Sequence, residues 1–224
     1  MITEKLSKNV LRVTFDDVKE GWEKWFLLTS DRHHDSRHSD QNLVKEHFKL
    51  VEERNAHVMD FGDFFDAMQG RYDPRRSYPD LQPKYLEMMH EEGTGYLDVI
   101  GKDAVNFYKP YADRILLITK GNHETAIAQH SDIDLINRLV YGLNAETGSN
   151  IQQGMYGGWV KFSFTIQKTQ RQSINLKYMH GYGGGGIVTK GAIQANRQAV
   201  YLPDADVIVN GHIHETWVIP YARE

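Results

Sequence analysis

The chain has 224 residues and no cysteine, which excludes disulfide staples, thiolate metal sites and cysteine nucleophiles, so a metal here needs His, Asp, Glu or Asn as ligands. With 26 basic and 30 acidic residues the formal net charge is −4, which gives no global attraction to a polyanion and leaves nucleic acid to a local basic patch. The composition, 40% hydrophobic and 25% charged, is that of an ordinary globular chain. With no signal-like apolar core in "MITEKLSKNVLRVTF" and no membrane-length apolar run, it predicts a cytoplasmic protein without membrane contact.

In chain order, "KWFLLTS" (residues 24–30) predicts a short buried strand. "NLVKEHFKLVEERN" predicts a helix with Leu43, Val44, Phe48, Leu50 and Val51 along one face. "AHVMDFGD" predicts another strand, ending at Gly62-Asp63. From Phe64 to Gly101 the chain reads as an irregular insertion, because Pro74, Pro79, Pro83 and several glycines interrupt it, and connections of that length are usually functional. "RILLIT" predicts a strand, and "SDIDLINRLVYGL" a helix with Ser131 as its N-cap. "WVKFSFTI" and "INLKYMH" predict two strands, "VTKGAIQANRQAV" a helix and "ADVIVNGH" a last strand. Strands alternating with helices predict an α/β fold, a layered mixed β-sheet core flanked by helices, in a single domain over residues 1–224. The closing "TWVIPYARE" reads as a strand and turn begun but not finished, so a truncated C-terminus is expected.

Five of these apolar runs end in polar clusters: "SDRHHD" (Ser30 to Asp35), "GDFFD" (Gly62 to Asp66), "GNHE" (Gly121 to Glu124), "MHG" (Met179 to Gly181) and "GHIH" (Gly211 to His214). Singly, each reads as a turn or a hydrogen-bonded histidine; a turn explains Gly121 and Asn122, but not the imidazole and carboxylate that follow. Together, five clusters each placed directly after an apolar run do not read as turns. Ligands of open α/β sheets bind outside the carboxyl ends of the strands, so the clusters are expected to converge on one crevice. Asp, His and Asn are also the donors that suit divalent transition metals where thiolate is absent.

The order D-x-H, GDxxD, GNHE, H and GHxH resembles the signature of the calcineurin-like metallophosphoesterases, in their small bacterial or phage form, over residues 31 to 214. The GNHE and GHxH elements are its most specific parts, and the sequence departs from the Ser/Thr phosphatases of the family in having Ala67 and Met68 after GDxxD. The resemblance implies a metallophosphoesterase-like fold and two divalent metal ions, manganese foremost, with iron, zinc, cobalt or nickel also suited to the ligands. Asp31, His33 and His214 would hold one metal, Asn122, His180 and His212 the other, and Asp63 would bridge them; a hydroxide shared by the two is the nucleophile the family pattern implies. His123 would face the substrate, stabilising the phosphoryl group or protonating the leaving oxygen, with Asp66 as the carboxylate paired to it. Glu124 either orients this group or caps the following helix, the cap being favoured. His34 is read as a substrate contact or a solvated side chain.

The implied activity is hydrolysis of phosphate esters, foremost phosphodiesters of DNA or nucleotides. Phosphomonoester hydrolysis is the alternative, and a non-catalytic scaffold a third reading. Arg71, Arg75 and Arg76, interleaved with Tyr72 and Tyr78, suit single-stranded nucleic acid, and Arg75 and Arg76 are the expected phosphate contacts; a solvated loop neutralised by Asp73 and Asp80 is the plain alternative. "HGYGGGG" matches the dinucleotide pattern G-x-G-x-x-G, but no acidic residue ends the next strand, so it reads as a loop whose N–H groups could approach phosphate, with Lys190 and Arg197 as further walls.

Overall fold

A computed structural model describes residues 1–69, 73, 76, 81–184, 189 and 191–221. The chain is α/β and divides into two compact units, one formed by Met1–Trp22 with Gly157–Glu224 and the other by Glu23–Tyr156.

The first unit holds a mixed five-stranded sheet in the order β1-β2-β7-β8-β9. Its strands are β1 (Ile2–Ser7), β2 (Val10–Val18), β7 (Gly157–Ile166), β8 (Gln170–Met179) and β9 (Val207–Asn210). β1–β2 and β7–β8 pair antiparallel, while β2–β7 and β8–β9 pair parallel. Leu11, Val13 and Phe15 are buried at alternate positions of β2, the period of a strand with one packed face, and Phe15 stacks on Phe164 with ring centroids 5.5 Å apart. The sequence reading had no place for β1 and β2. "ITEKLS" is almost wholly exposed and offers no apolar run, but the alternation in "VLRVTF" was a readable signal. α6 (Ala192–Tyr201), where a helix is expected, also belongs to this unit.

The second unit holds a parallel four-stranded sheet in the order β3-β4-β5-β6: β3 (Phe26–Thr29), β4 (His57–Asp60), β5 (Ile115–Ile118) and β6 (Gln152–Gln153). All four residues of β5, "ILLI", are buried, as in a parallel strand covered on both faces. Helices α1 (Gln41–Glu53), α2 (Pro83–Glu92), α3 (Tyr96–Tyr108), α4 (Asn122–Ser131) and α5 (Leu135–Thr147) form the connections, with a 3-10 turn over Lys109–Arg114. Their buried faces, among them Phe48, Tyr85, Ile100, Tyr108, Ile136 and Leu139, make one apolar core, in which each large side chain contributes about 1.5–3 kcal/mol.

Four details correct the sequence reading. α1 buries Phe48 and Val51, with Val44 packed beside them, whereas Leu43 and Leu50 are exposed; at 100° per residue those two stand roughly 100° round from the stripe. The insertion at 64–101 is not irregular throughout, since α2 and the start of α3 lie in it. The residues taken as breakers delimit these helices: Pro83 takes the first turn of α2, where no N–H is needed, Gly93 closes it with φ 62°, and Gly95 caps α3. Ser131 ends α4 rather than capping α5, because Asp132 turns left-handed at φ 54° and Asp134 accepts the Asn137 N–H at 3.0 Å. The expected strands fall into two sheets rather than one, because "WVKFSFTI" and "INLKYMH" close an antiparallel hairpin on the N-terminal strands. Among the described residues no helix is long and apolar enough to cross a membrane.

Candidate metal centre

In the second unit the polar clusters follow three adjacent parallel strands. Beyond β3 and β4 the two loops continue side by side: the N–H groups of Asp31, His33 and His34 donate to the carbonyls of Gly62, Asp63 and Phe64 at 2.9, 3.1 and 2.8 Å. This lacing holds Asp31, His33 and Asp63 in the left-handed region, at φ 53°, 42° and 50°. Asp and His are enriched there among non-glycine residues, but each such residue still costs roughly 1–3 kcal/mol. At the third loop Gly121 is obligatory on steric grounds, since a Cβ there would lie 2.1 Å from Asp63 Oδ1 and 2.4 Å from its backbone nitrogen.

Two buried carboxylates fix these loops from behind. Glu124 accepts N–H groups from Asp63 at 3.2 Å, Phe65 at 2.8 Å and Gly121 at 2.8 Å, so it both caps α4 and orients the GDxxD loop. Burial, then the neighbouring Asp63 charge, push its pKa up to about 7 against the pull of the Phe65 and Gly121 N–H groups. Asp35 accepts from the N–H groups of Asp66 at 2.7 Å and Ala67 at 2.9 Å and from the Tyr96 hydroxyl; burial raises its pKa. The motif pattern carried no signal for Asp35, whose partners are distant in sequence.

Within this frame the ligand atoms of Asp31 and His33 lie within 4.8 Å of one another, as do those of His33, Asp63 and His123. His123 is buried at the start of α4; its N–H donates to Asp63 Oδ1 at 3.0 Å, and its Nε2 is 3.7 Å from Asp63 Oδ2. Asn122, half-buried, is the first residue of the same helix. Burial would lower the pKa of His33, but the Asp66, Asp63 and Asp31 carboxylates outweigh it and raise it. Tyr156, which the sequence reading did not single out, has its hydroxyl pKa raised by burial and by Asp63 and Asp31.

Two expectations are corrected here. The Asp66 carboxylate is 3.1 Å from His33 Nδ1 but 3.9 Å from His123 Nδ1, which instead meets the Asp66 backbone carbonyl. The cause is Asp35, which holds the Asp66 and Ala67 N–H groups and so sets the loop's direction, with Ala67 at φ 49°. His34 is not solvated but buried. Burial alternates along Asp31 to His34, so Arg32 and His34 point inward; His34 Nε2 lies 3.0 Å from Asp103 Oδ2, and its ring packs on Phe64, Phe107 and Tyr108. Arg32 donates to Asp60 at 2.7 Å and lies over Phe48 and Tyr108.

In the first unit His180 is fully buried at the end of β8, and its carbonyl accepts the Gly211 N–H at 2.8 Å. The ligand atoms of His180 and His212 lie within 4.8 Å, with rings 5.5 Å apart and edge to face. His212 and the exposed His214 follow β9 at φ 75° and 51°. Gly181, at φ 111°, leaves the space a side chain would take from Gly211 and His212. Neutral imidazoles with anionic carboxylates and no thiolate are a donor set that fits borderline divalent metals, and the short separations fit a shared ion.

Of the expected substrate loop, Arg76 is half-buried, and its N–H donates to the Asp73 carbonyl at 3.1 Å. Arg71, Tyr72, Arg75, Tyr78 and Asp80 lie outside the described residues, as do Lys190 and Gly185–Val188 of the glycine loop. No family model matches the chain, and no curated protein or solved structure matches it.

Proposed function

We propose that this chain is a calcineurin-like metallophosphoesterase that hydrolyses phosphate esters, foremost phosphodiesters of nucleic acid or nucleotides, with two divalent metal ions. One observation carries the reading: the carboxyl ends of β3, β4 and β5 bring Asp31, His33, Asp63 and His123 to one place, held by backbone hydrogen bonds and buried carboxylates. The residues the motifs imply as ligands are Asp31, His33, Asp63, Asn122, His180, His212 and His214. When bound, the metals supply Lewis acidity and lower the pKa of water from 15.7 to about 7.

The chain's own groups have separable tasks. The Asp66 carbonyl can only accept, so it fixes Nδ1 of His123 as a protonated nitrogen; when the ring takes up a second proton, that proton sits on Nε2, the nitrogen then able to donate to the phosphoryl group or to give its proton to the leaving oxygen. The Asp66 carboxylate acts on His33 Nδ1, leaving His33 Nε2 to the metal, the carboxylate–histidine arrangement that sets a ligand's tautomer. Glu124 holds the N–H of Asp63 and so the direction of the Asp63 carboxylate, which would be shared between the metals. The test is elemental analysis of purified protein together with turnover of a chromogenic diester. Wild type should hold two metals and lose turnover to chelator, and Asp63→Asn should lose both metals. Asp63→Asn retaining two tightly held metals, or a metal-loaded wild type inert to diesters and monoesters alike, overturns the reading.

A further inference from the structure

α6 and the end of β8 line a cavity of about 400 Å³ in the first unit, within the ~300–1,000 Å³ usual for small-molecule sites. Gln194, Arg197, Gln198 and Tyr201 reach it because they stand at i, i+3, i+4 and i+7 on one face of α6. Lys177 and Met179 reach it as alternate residues of β8. Among the described residues two cations line the cavity and no carboxylate does. Among the described residues neither Lys177 nor Arg197 is in an ion pair, and Lys177 sits 5.0 Å over the Trp159 ring.

Two large aromatic side chains at the rim are open to solvent, Tyr182 at 63% and Tyr201 at 79% exposure. The two amides are half committed: Gln194 Nε2 donates to the Tyr182 carbonyl at 3.1 Å, and Gln198 Oε1 accepts from Asn210 at 2.9 Å. That leaves an acceptor on Gln194 and a donor on Gln198. A simple anion makes no use of the tyrosines and Met179, and a neutral aromatic leaves two cations uncompensated. A planar heterocycle carrying a phosphate uses all of them. We propose that this cavity binds a nucleotide unit, its base against Tyr182 and Tyr201 and its phosphate at Lys177 and Arg197.

The walls are built on the strand ends that carry the imidazoles, since Tyr182 follows His180 by two residues and Asn210 precedes His212 by two. As a substrate subsite the cavity rests on the phosphoester reading above; as a binding site it does not. Binding is therefore measured on the full chain in excess chelator, with AMP, ribose 5-phosphate and a dT oligomer as probes.

AMP should bind, and ribose 5-phosphate at least about tenfold more weakly, the worth of one stacked base. Tyr182→Ala and Arg197→Gln should each weaken AMP about tenfold. If the unit is a link of a strand, the dT oligomer binds more tightly than AMP, and Arg197→Gln flattens its salt slope by about 0.7. An oligomer no tighter than AMP, with an unchanged slope, assigns the site to a free nucleotide. No AMP binding at millimolar concentration, ribose 5-phosphate binding as tightly as AMP, or wild-type AMP affinity in the Tyr182→Ala/Arg197→Gln double variant overturns the proposal. With metals removed, none of these results depends on whether the loaded protein is active, so either reading can fail alone.

Discussion

Asp66 is the position where the structure changes what a mutation should do. If its carboxylate served His123, Asp66→Asn would act on proton transfer and leave metal binding alone. The distances point elsewhere: the carboxylate is 3.1 Å from His33 Nδ1, a close ion-pair contact, but 3.9 Å from His123 Nδ1, beyond hydrogen-bond length, and His123 is held by the Asp66 carbonyl, which no side-chain change removes. Asp66→Asn keeps an acceptor for His33 but removes the charge that makes its ring a stronger ligand; Asp66→Ala removes both. Losing such a partner behind a metal-bound histidine typically weakens the metal about 10–100-fold, or roughly 1.4–2.8 kcal/mol. The expected order is therefore wild type, then Asn, then Ala in metal affinity, measured by competition with a calibrated chelator. Activity at saturating metal should fall much less than at limiting metal, with the alkaline limb of the kcat profile unmoved. Wild-type metal affinity in Asp66→Ala, with a shifted limb, would refute the argument and return the carboxylate to His123.

Two further outcomes follow from the same geometry. His123→Ala should keep its metals yet lower kcat by roughly 10²–10⁴-fold, measured with a diester at saturating metal, and wild-type turnover would remove His123 from the chemistry. Glu124 gives a pH signature in the chelated protein: its folded pKa of about 7 lies above the ordinary 4.5, so the folded state binds the proton more tightly, and stability present below pH 4.5 is lost as pH rises to 7. That loss is on the order of 3 kcal/mol, from about 1.4 kcal/mol per pKa unit. In urea titrations Glu124→Gln should be less stable at pH 5, because an NH2 replaces one of the two oxygens that accept the three N–H groups, and the difference between wild type and variant should shrink toward pH 7. A difference independent of pH would place the Glu124 pKa elsewhere.

The motifs located the loops because an apolar run followed by Asp, His or Gly is a local pattern, and the runs before "SDRHHD", "GDFFD" and "GNHE" are indeed adjacent parallel strands. Three things were not local. Neighbouring His33 and His34 look equivalent in sequence, yet one faces Asp63 and Asp66 while the other is buried against Asp103; the bond from His34 to Asp103 spans 69 residues. Pro83, Gly93 and Gly95 were read as interruptions although they delimit two helices, because a breaker marks a boundary without saying on which side the helix lies. The partners of Asp35 and Glu124 are backbone N–H groups, about 31 and 60 residues away, which no side-chain motif encodes.

The backbone itself weighs against a purely structural role for these loops. Asp31, His33, Asp63, His212 and His214, five of the seven residues the motifs name as ligands, sit at positive φ without being glycine. At roughly 1–3 kcal/mol each, that strain is comparable with the whole stability of a small domain, and Gly or Asn would relieve much of it if turning were the only requirement. The strain instead falls on residues with a carboxylate or an imidazole, and in the second unit it is held by buried groups, Glu124 and Asp35, that are themselves unfavourable to bury. A chain that accepts backbone strain and buried carboxylates at the same few positions gives up stability to hold Asp and His side chains in place. What those side chains gain is a fixed direction before any ligand arrives, which is the condition under which metal ligands bind tightly and a proton donor acts without reorganising.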